Sequence, residues 1–137
     1  MSVKSSYELF YPIVAGKIPG DKWYGLKIFR EKAVGIFLFD VIKKSQYYMS
    51  LSKKRLVEAE KLITEKKDYQ LGIKTLEESD KNLKTAWLLL VNEDANNELK
   101  TDTLIEADFL TRLANEVPPE SKSKVNSYSE IARGLIK

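Results

Sequence analysis

At 137 residues, with 43% apolar and 31% charged side chains and a formal net charge of +3, the chain is sized for one soluble folded domain. It contains neither cysteine nor histidine, which excludes disulfides, thiolate nucleophiles, zinc-finger sites, His-ligated haem, Ser-His-Asp triads and di-iron ExxH sites. Apolar runs such as Val34 to Phe39 are far shorter than the roughly 20 residues a bilayer crossing needs, so no segment reads as membrane-spanning.

Residues 1–20 hold Pro12, Gly16, Pro19 and Gly20 among Tyr7, Leu9, Phe10, Tyr11, Ile13 and Val14, the pattern of an extended, punctuated arm. Leaving such groups in water costs roughly 1.5–3 kcal/mol each, so the arm is expected to pack onto the helices. Asp21 is a candidate N-cap for a helix over about residues 22–39, with Trp23, Leu26, Phe29, Val34 and Phe37 at three- and four-residue steps. Ile28, Ile36 and Leu38 widen the stripe until the helix is apolar on most sides. Core packing is the expected fate of such a helix. Docking at a membrane interface, helped by Lys27, Arg30, Lys32, Lys43 and Lys44, is the alternative.

Asp40 is placed to cap a longer helix running to about Lys66, with Tyr48, Leu51, Arg55 or Leu56, Ala59, Leu62 and Ile63 on one face. A break at Lys66, Lys67 and Asp68 follows. Asp68 is the next cap, and Tyr69, Ile73, Leu76, Leu83, Trp87 and Leu90 keep helical spacing to Val91, with the stripe interrupted at Ser79 and Asp80. That gap reads most simply as a packing irregularity, otherwise as a polar cross-helix contact or a place for a partner. So short a connection makes the two helices antiparallel neighbours, an arm of about 25 residues giving a hairpin roughly 37 Å long. A polar turn over residues 92–97 leads to a fourth helix, about 98–116, carrying Leu99, Ile105, Phe109, Leu110 and Leu113. Pro118 and Pro119 stop it. A last helix from Glu120 or Ser121 offers Val125, Tyr128, Ala132 and Leu135, with fraying expected from Gly134 onward. The expected fold is therefore all-α, a bundle of about five helices built on a long antiparallel hairpin. The single domain divides into an arm (1–20), a three-helix core (21–92) and two C-terminal helices (93–137).

Sites for chemistry are sparse. The turn from Asn92 to Glu98 gathers oxygen ligands but lacks the alternating acids and central glycine of an EF-hand loop, and reads as a plain Asx-rich connection. Glu58 with Glu60, and Glu106 with Asp108, lie two residues apart and so on different helix faces; they read as surface acids. Gly16 and Gly20 lack the GK[ST] ending of a phosphate loop, and nothing calls for a cofactor or a metal. Lys53, Lys54 and Arg55 are consecutive, hence spread around the helix, and read as a solvated face sooner than a nucleic-acid site. Charge is unevenly shared: residues 1–74 carry 15 Lys/Arg against 8 Asp/Glu, residues 75–137 carry 8 against 12. Compensation between helices is the plain reading, an anionic partner near the first half the sharper one.

The stretch Pro19-Gly20-Asp21-Lys22-Trp23-Tyr24-Gly25-Leu26-Lys27, followed by a helix and then Leu51-Ser52-Lys53-Lys54-Arg55-Leu56-Val57-Glu58-Ala59-Glu60, resembles the domain-of-unknown-function 5667 family of bacteria and archaea. The likeness covers about residues 12–90. In the family's opening turn Asp21 would cap the helix while Pro19 and Gly20 set its approach angle. Members usually follow a signal peptide or a membrane anchor, so the resemblance implies an exported or surface protein whose residues before Ser2 were removed, Met1 then being an added start. It brings no catalytic residues. Leu38-Phe39-Asp40-Val41-Ile42 is more apolar than the family's usual segment at that point.

Together these readings lead to a non-enzymatic helical interaction or structural module of the cell envelope, binding a protein or surface polymer. The alternatives are a peripheral binder of membrane or other anionic surfaces through helix 22–39, and an enzyme built without His or Cys. The candidate interaction surface is Trp23, Tyr24, Phe37, Lys43, Lys44, Lys53, Lys54 and Arg55.

Overall fold

A computed structural model describes residues 18–37, 40–90 and 97–136. The expected packing of arm residues 7–14 and most of the polar turn lie outside the described residues, as does the Phe37 side chain. Among the described residues five α-helices follow in order: α1 (Tyr24–Phe37), α2 (Val41–Thr64), α3 (Tyr69–Leu89), α4 (Asn97–Leu113) and α5 (Pro119–Ile136), with a 3₁₀ turn at Ala114–Glu116 between the last two. The described residues contain no strand. The all-α reading holds.

Two of the three expected caps form. The Asp40 carboxylate accepts from Lys43 N at 3.0 Å, and that of Asp68 from Leu71 N at 3.2 Å, each satisfying a backbone donor that the first helical turn leaves orphaned. Asp21 behaves differently. Its carboxylate turns back to accept from Ile18 N at 2.9 Å, closing a turn in which Gly20 takes a left-handed φ of 94°, and α1 begins only at Tyr24. Pro119 opens α5, where a missing N–H costs nothing, and α5 continues through Gly134 to Ile136 instead of fraying.

The α2–α3 hairpin packs more extensively than any other pair. Its 24-residue first arm is about 36 Å long. A seam of small residues explains the fit: Ser45, Ser52 and Ala59 on α2 face Ala86, Ser79 and Gly72 on α3, each set at seven-residue steps and all buried. Such spacing keeps one stripe turned to the partner along the full length of both helices. The layers are joined by hydroxyl-to-carbonyl bonds. Ser45 Oγ donates to the Ala86 carbonyl at 2.9 Å, and in the middle layer Ser79 Oγ donates to the Ser52 carbonyl at 3.0 Å. The interruption at Ser79 is thus a polar cross-helix contact. Asp80, beside it, pairs along its own helix with Lys84 at 2.8 Å.

Around this seam two apolar clusters fill the bundle. One centres on Leu56, Ile63, Leu76, Phe109, Leu113 and Val125, the other on Met49, Leu83, Ala86, Leu90 and Leu99. Both draw on α2 to α5, and among the described residues neither includes a side chain of α1. The described core therefore lies between the hairpin and the two C-terminal helices, with the described side chains of α1 outside it.

Gly72 marks the tightest approach, since a Cβ there would stand 2.6 Å from Ile63 Cγ1. In an isolated helix Gly to Ala gains about 1 kcal/mol. Here Gly72→Ala is expected to lower stability by about 1–3 kcal/mol through overpacking. Gly134→Ala, with nothing within 4 Å of the added Cβ, should raise it by about 0.5–1 kcal/mol. Urea unfolding midpoints of the two variants would move in opposite directions.

Candidate functional site

Helix α1 has two stripes. Leu26, Phe29, Ala33 and Ile36 recur at helical spacing on one side; Tyr24, Lys27, Glu31 and Gly35 recur on the other. Against expectation, the polar stripe faces the protein. Trp23, Leu26, Phe29 and Ile36 are 62%, 63%, 71% and 69% exposed, while Glu31 and Gly35 are buried. The core role expected for helix 22–39 is not what its described residues show.

The inward stripe is held by charge. Arg55 on α2, itself buried, donates through Nη2 to Glu31 Oε2 and through Nη1 to Tyr24 Oη, and its Nη1 stands 3.2 Å from Glu58 Oε2. Lys27 Nζ donates to Glu58 Oε1 at 3.0 Å, and Tyr24 Oη to Glu58 Oε2 at 2.9 Å. Two cations and two carboxylates make a neutral quartet with a phenol between them. Burial keeps the Glu58 carboxyl above its ordinary range, with Arg55 and Lys27 opposing that shift. Burial, then the nearby Glu58 charge, pushes the Tyr24 phenol upward as well. Further along, Tyr47 Oη donates to the Glu31 carbonyl at 2.6 Å, and Gly35 sits so close to Tyr48 that a Cβ would lie 2.9 Å from its hydroxyl.

A cleft of about 360 Å³ runs between α1, α2 and α3, with Tyr24, Ile28, Glu31, Leu51, Arg55 and Thr75 among its lining. Glu31 Oε1 is buried without a hydrogen-bond partner. Every charged group of the quartet has a countercharge inside it, so the cluster is built to fix α1 in place and leaves little for acid–base work.

A second buried carboxyl lies across the bundle. Glu106 on α4, only 1% exposed, places Oε1 2.6 Å from Ser52 Oγ, beneath the middle layer of the hairpin seam. Burial lifts its pKa to about 8, against smaller pulls downward from Ser52 and Lys53. Ser52 Oγ donates to Glu106 Oε1 and also lies 3.0 Å from the Ser79 carbonyl.

The surface proposed from sequence does not form one patch. Trp23 and Lys43 are exposed, Lys44 and Lys54 half-buried, and Tyr24 belongs to the quartet. Lys53 pairs with Asp102 on α4 at 2.9 Å. Arg55 is buried and faces α1, so it is no part of an exposed basic cluster. Glu58 and Glu106 are likewise buried, correcting their reading as surface acids, while Asp108 is exposed and pairs with Arg133 at 3.0 Å. Lys27, Glu31 and Glu58 were missed as a set. Their trace in the sequence is the polar stripe of α1, with Glu31 the one acid between Lys22 and Phe37.

These features define a helical scaffold carrying an externally mounted amphipathic helix with its apolar side turned out. The chain belongs to the family described as Domain of unknown function (DUF5667), whose model matches residues 16–120. No curated protein and no solved structure matches it.

Two consequences follow for stability. Arg55→Met leaves Glu31 buried without its cation, a loss of about 3–5 kcal/mol for a broken buried pair. Because no described side chain of α1 belongs to the apolar clusters, the loss should appear as release of α1: amide exchange accelerates across residues 24–36 while α2 and α3 stay protected, and Glu31→Met with Arg55→Met restores part of the protection. For Glu106, both states hold the proton below pH 4.5, the unfolded chain alone releases it between 4.5 and about 8, and stability falls with rising pH over that window. The slope approaches about 1.4 kcal/mol per pH unit. Glu106→Gln should remove this component, leaving the variant more stable than the parent at pH 8 but not at pH 4 in denaturant titrations.

Proposed function

We propose that this protein is a non-enzymatic helical interaction module whose docking element is the outward face of α1. One observation carries the reading: a helix with a polar side and an apolar side is mounted polar side in, by a buried ion quartet. Exposing three large apolar groups costs roughly 1.5–3 kcal/mol apiece relative to burying them, a cost a chain bears where something else covers them. The quartet supports the same view, because it prevents α1 from rolling over to bury that face in its own bundle. Its charges are also engaged with one another, which favours binding over catalysis. The family's usual company of signal peptides and membrane anchors supports a place in the cell envelope.

The test keeps the fold and spoils the face. Beads carrying the chain should retain components of an envelope extract, and beads carrying Leu26→Asp with Phe29→Asp should lose them, with circular dichroism and urea midpoint unchanged because neither side chain packs inside. Equal retention by both chains would remove α1 as the docking element.

A further inference from the structure

We infer that the occupant of the α1 face is the surface of an anionic lipid bilayer, the helix lying in the interface plane. This rests on the docking reading above and commits it to one partner.

The argument is one of charge around an apolar stripe. Among residues 22–37 the charged side chains are Lys22, Lys27, Arg30, Glu31 and Lys32. Glu31 is turned inward onto Arg55, and Lys27 inward onto Glu58. The exposed charges among residues 22–37 are therefore Lys22, Arg30 and Lys32, all positive, beside Leu26, Phe29 and Ile36, with Asp21 exposed just before them. Folding has sorted the one acid to the inside. The flanking acids are Asp21, which closes the turn on Ile18 N, and Asp40, which caps α2 and is followed by Val41, Ile42, Lys43 and Lys44. An apolar strip with cations along it and an indole at its start is the composition of a helix that lies at a headgroup boundary. Val41 and Ile42, also exposed, extend the apolar content past the end of α1. Among the described residues no helix is long and apolar enough to cross a membrane, so lying on the surface is the geometry left to it. A second copy fits less well, because symmetric pairing of this stripe would bring together two sets of exposed charges that are both all positive, Lys22, Arg30 and Lys32 on each copy.

The experiment is co-sedimentation of the full chain with vesicles of phosphatidylcholine alone and of phosphatidylcholine with phosphatidylglycerol, at low salt and at about 0.5 M salt. Binding is expected to the anionic vesicles at low salt, with Trp23 quenched by brominated acyl chains and the quenching lost in Trp23→Phe. Phe29→Asp should lower the partition at least about tenfold, and Arg30→Glu with Lys32→Glu by a similar factor. Absence of binding to anionic vesicles at low salt, or binding indifferent to Phe29→Asp, overturns the inference. A parallel measurement separates the two levels: anilinonaphthalene sulfonate binding that the native chain shows and Leu26→Asp with Phe29→Asp loses. With that signal present and vesicles ignored, the docking face stands and its occupant is not lipid. With both absent, face and occupant fall together. Concentration-dependent dimerisation abolished by Phe29→Asp would assign the face to a second copy and likewise overturn the lipid assignment.

Discussion

The close approach of α2 and α3 is the constraint on which the remainder of the structure rests. Small side chains at every seventh position let the two backbones come near enough for serine hydroxyls on one helix to reach carbonyls on the other. Larger residues on either side of the seam then interdigitate with α4 and α5 into two apolar clusters. The middle layer, Ser52 against Ser79, also receives the Glu106 carboxyl from α4, so one polar contact ties three helices in register. Buried polar groups of this kind favour one alignment, because a slip of one turn would leave each hydroxyl and the carboxyl without partners.

No described side chain of α1 joins the apolar clusters, and the helix is attached by a different kind of interaction. An ion quartet is directional and intolerant of misplacement, whereas apolar packing tolerates rotation of a helix about its axis. Fixing α1 through Arg55 and Glu58 therefore sets which side faces out. The desolvation of four charges is costly and repaid only by their mutual geometry, so the arrangement contributes orientation more than net stability. The apolar side is left to the surroundings, which is the physical basis for reading α1 as a docking element.

How much of this was legible in the sequence varied by element. Helices α2 to α5 announced themselves by apolar periodicity, and Asp40 and Asp68 by their position ahead of it, because caps and stripes are set by residues within one turn of each other. Asp21 had the same local credentials, yet the turn at Pro19-Gly20 brought Ile18 N within its reach and drew the carboxylate away from the helix. The seam was written in the sequence as well, but Ser45, Ser52, Gly72 and Ser79 are individually unremarkable in helices and only their shared seven-residue spacing carries the signal. Glu58 and Glu106 looked like surface acids because acids usually are; their burial depends on partners 31 and 54 residues away in the chain.

By itself, then, the sequence determined the helices, their order, the hairpin and the absence of cysteine and histidine chemistry, since composition and local periodicity decide these. Tertiary structure alone decided the orientation of α1. Both of its stripes are present in the sequence, and an apolar stripe taken alone predicts burial. The choice between them was made by Arg55 and Glu58 on another helix, whose charges could be desolvated only by bringing Tyr24, Lys27 and Glu31 onto them.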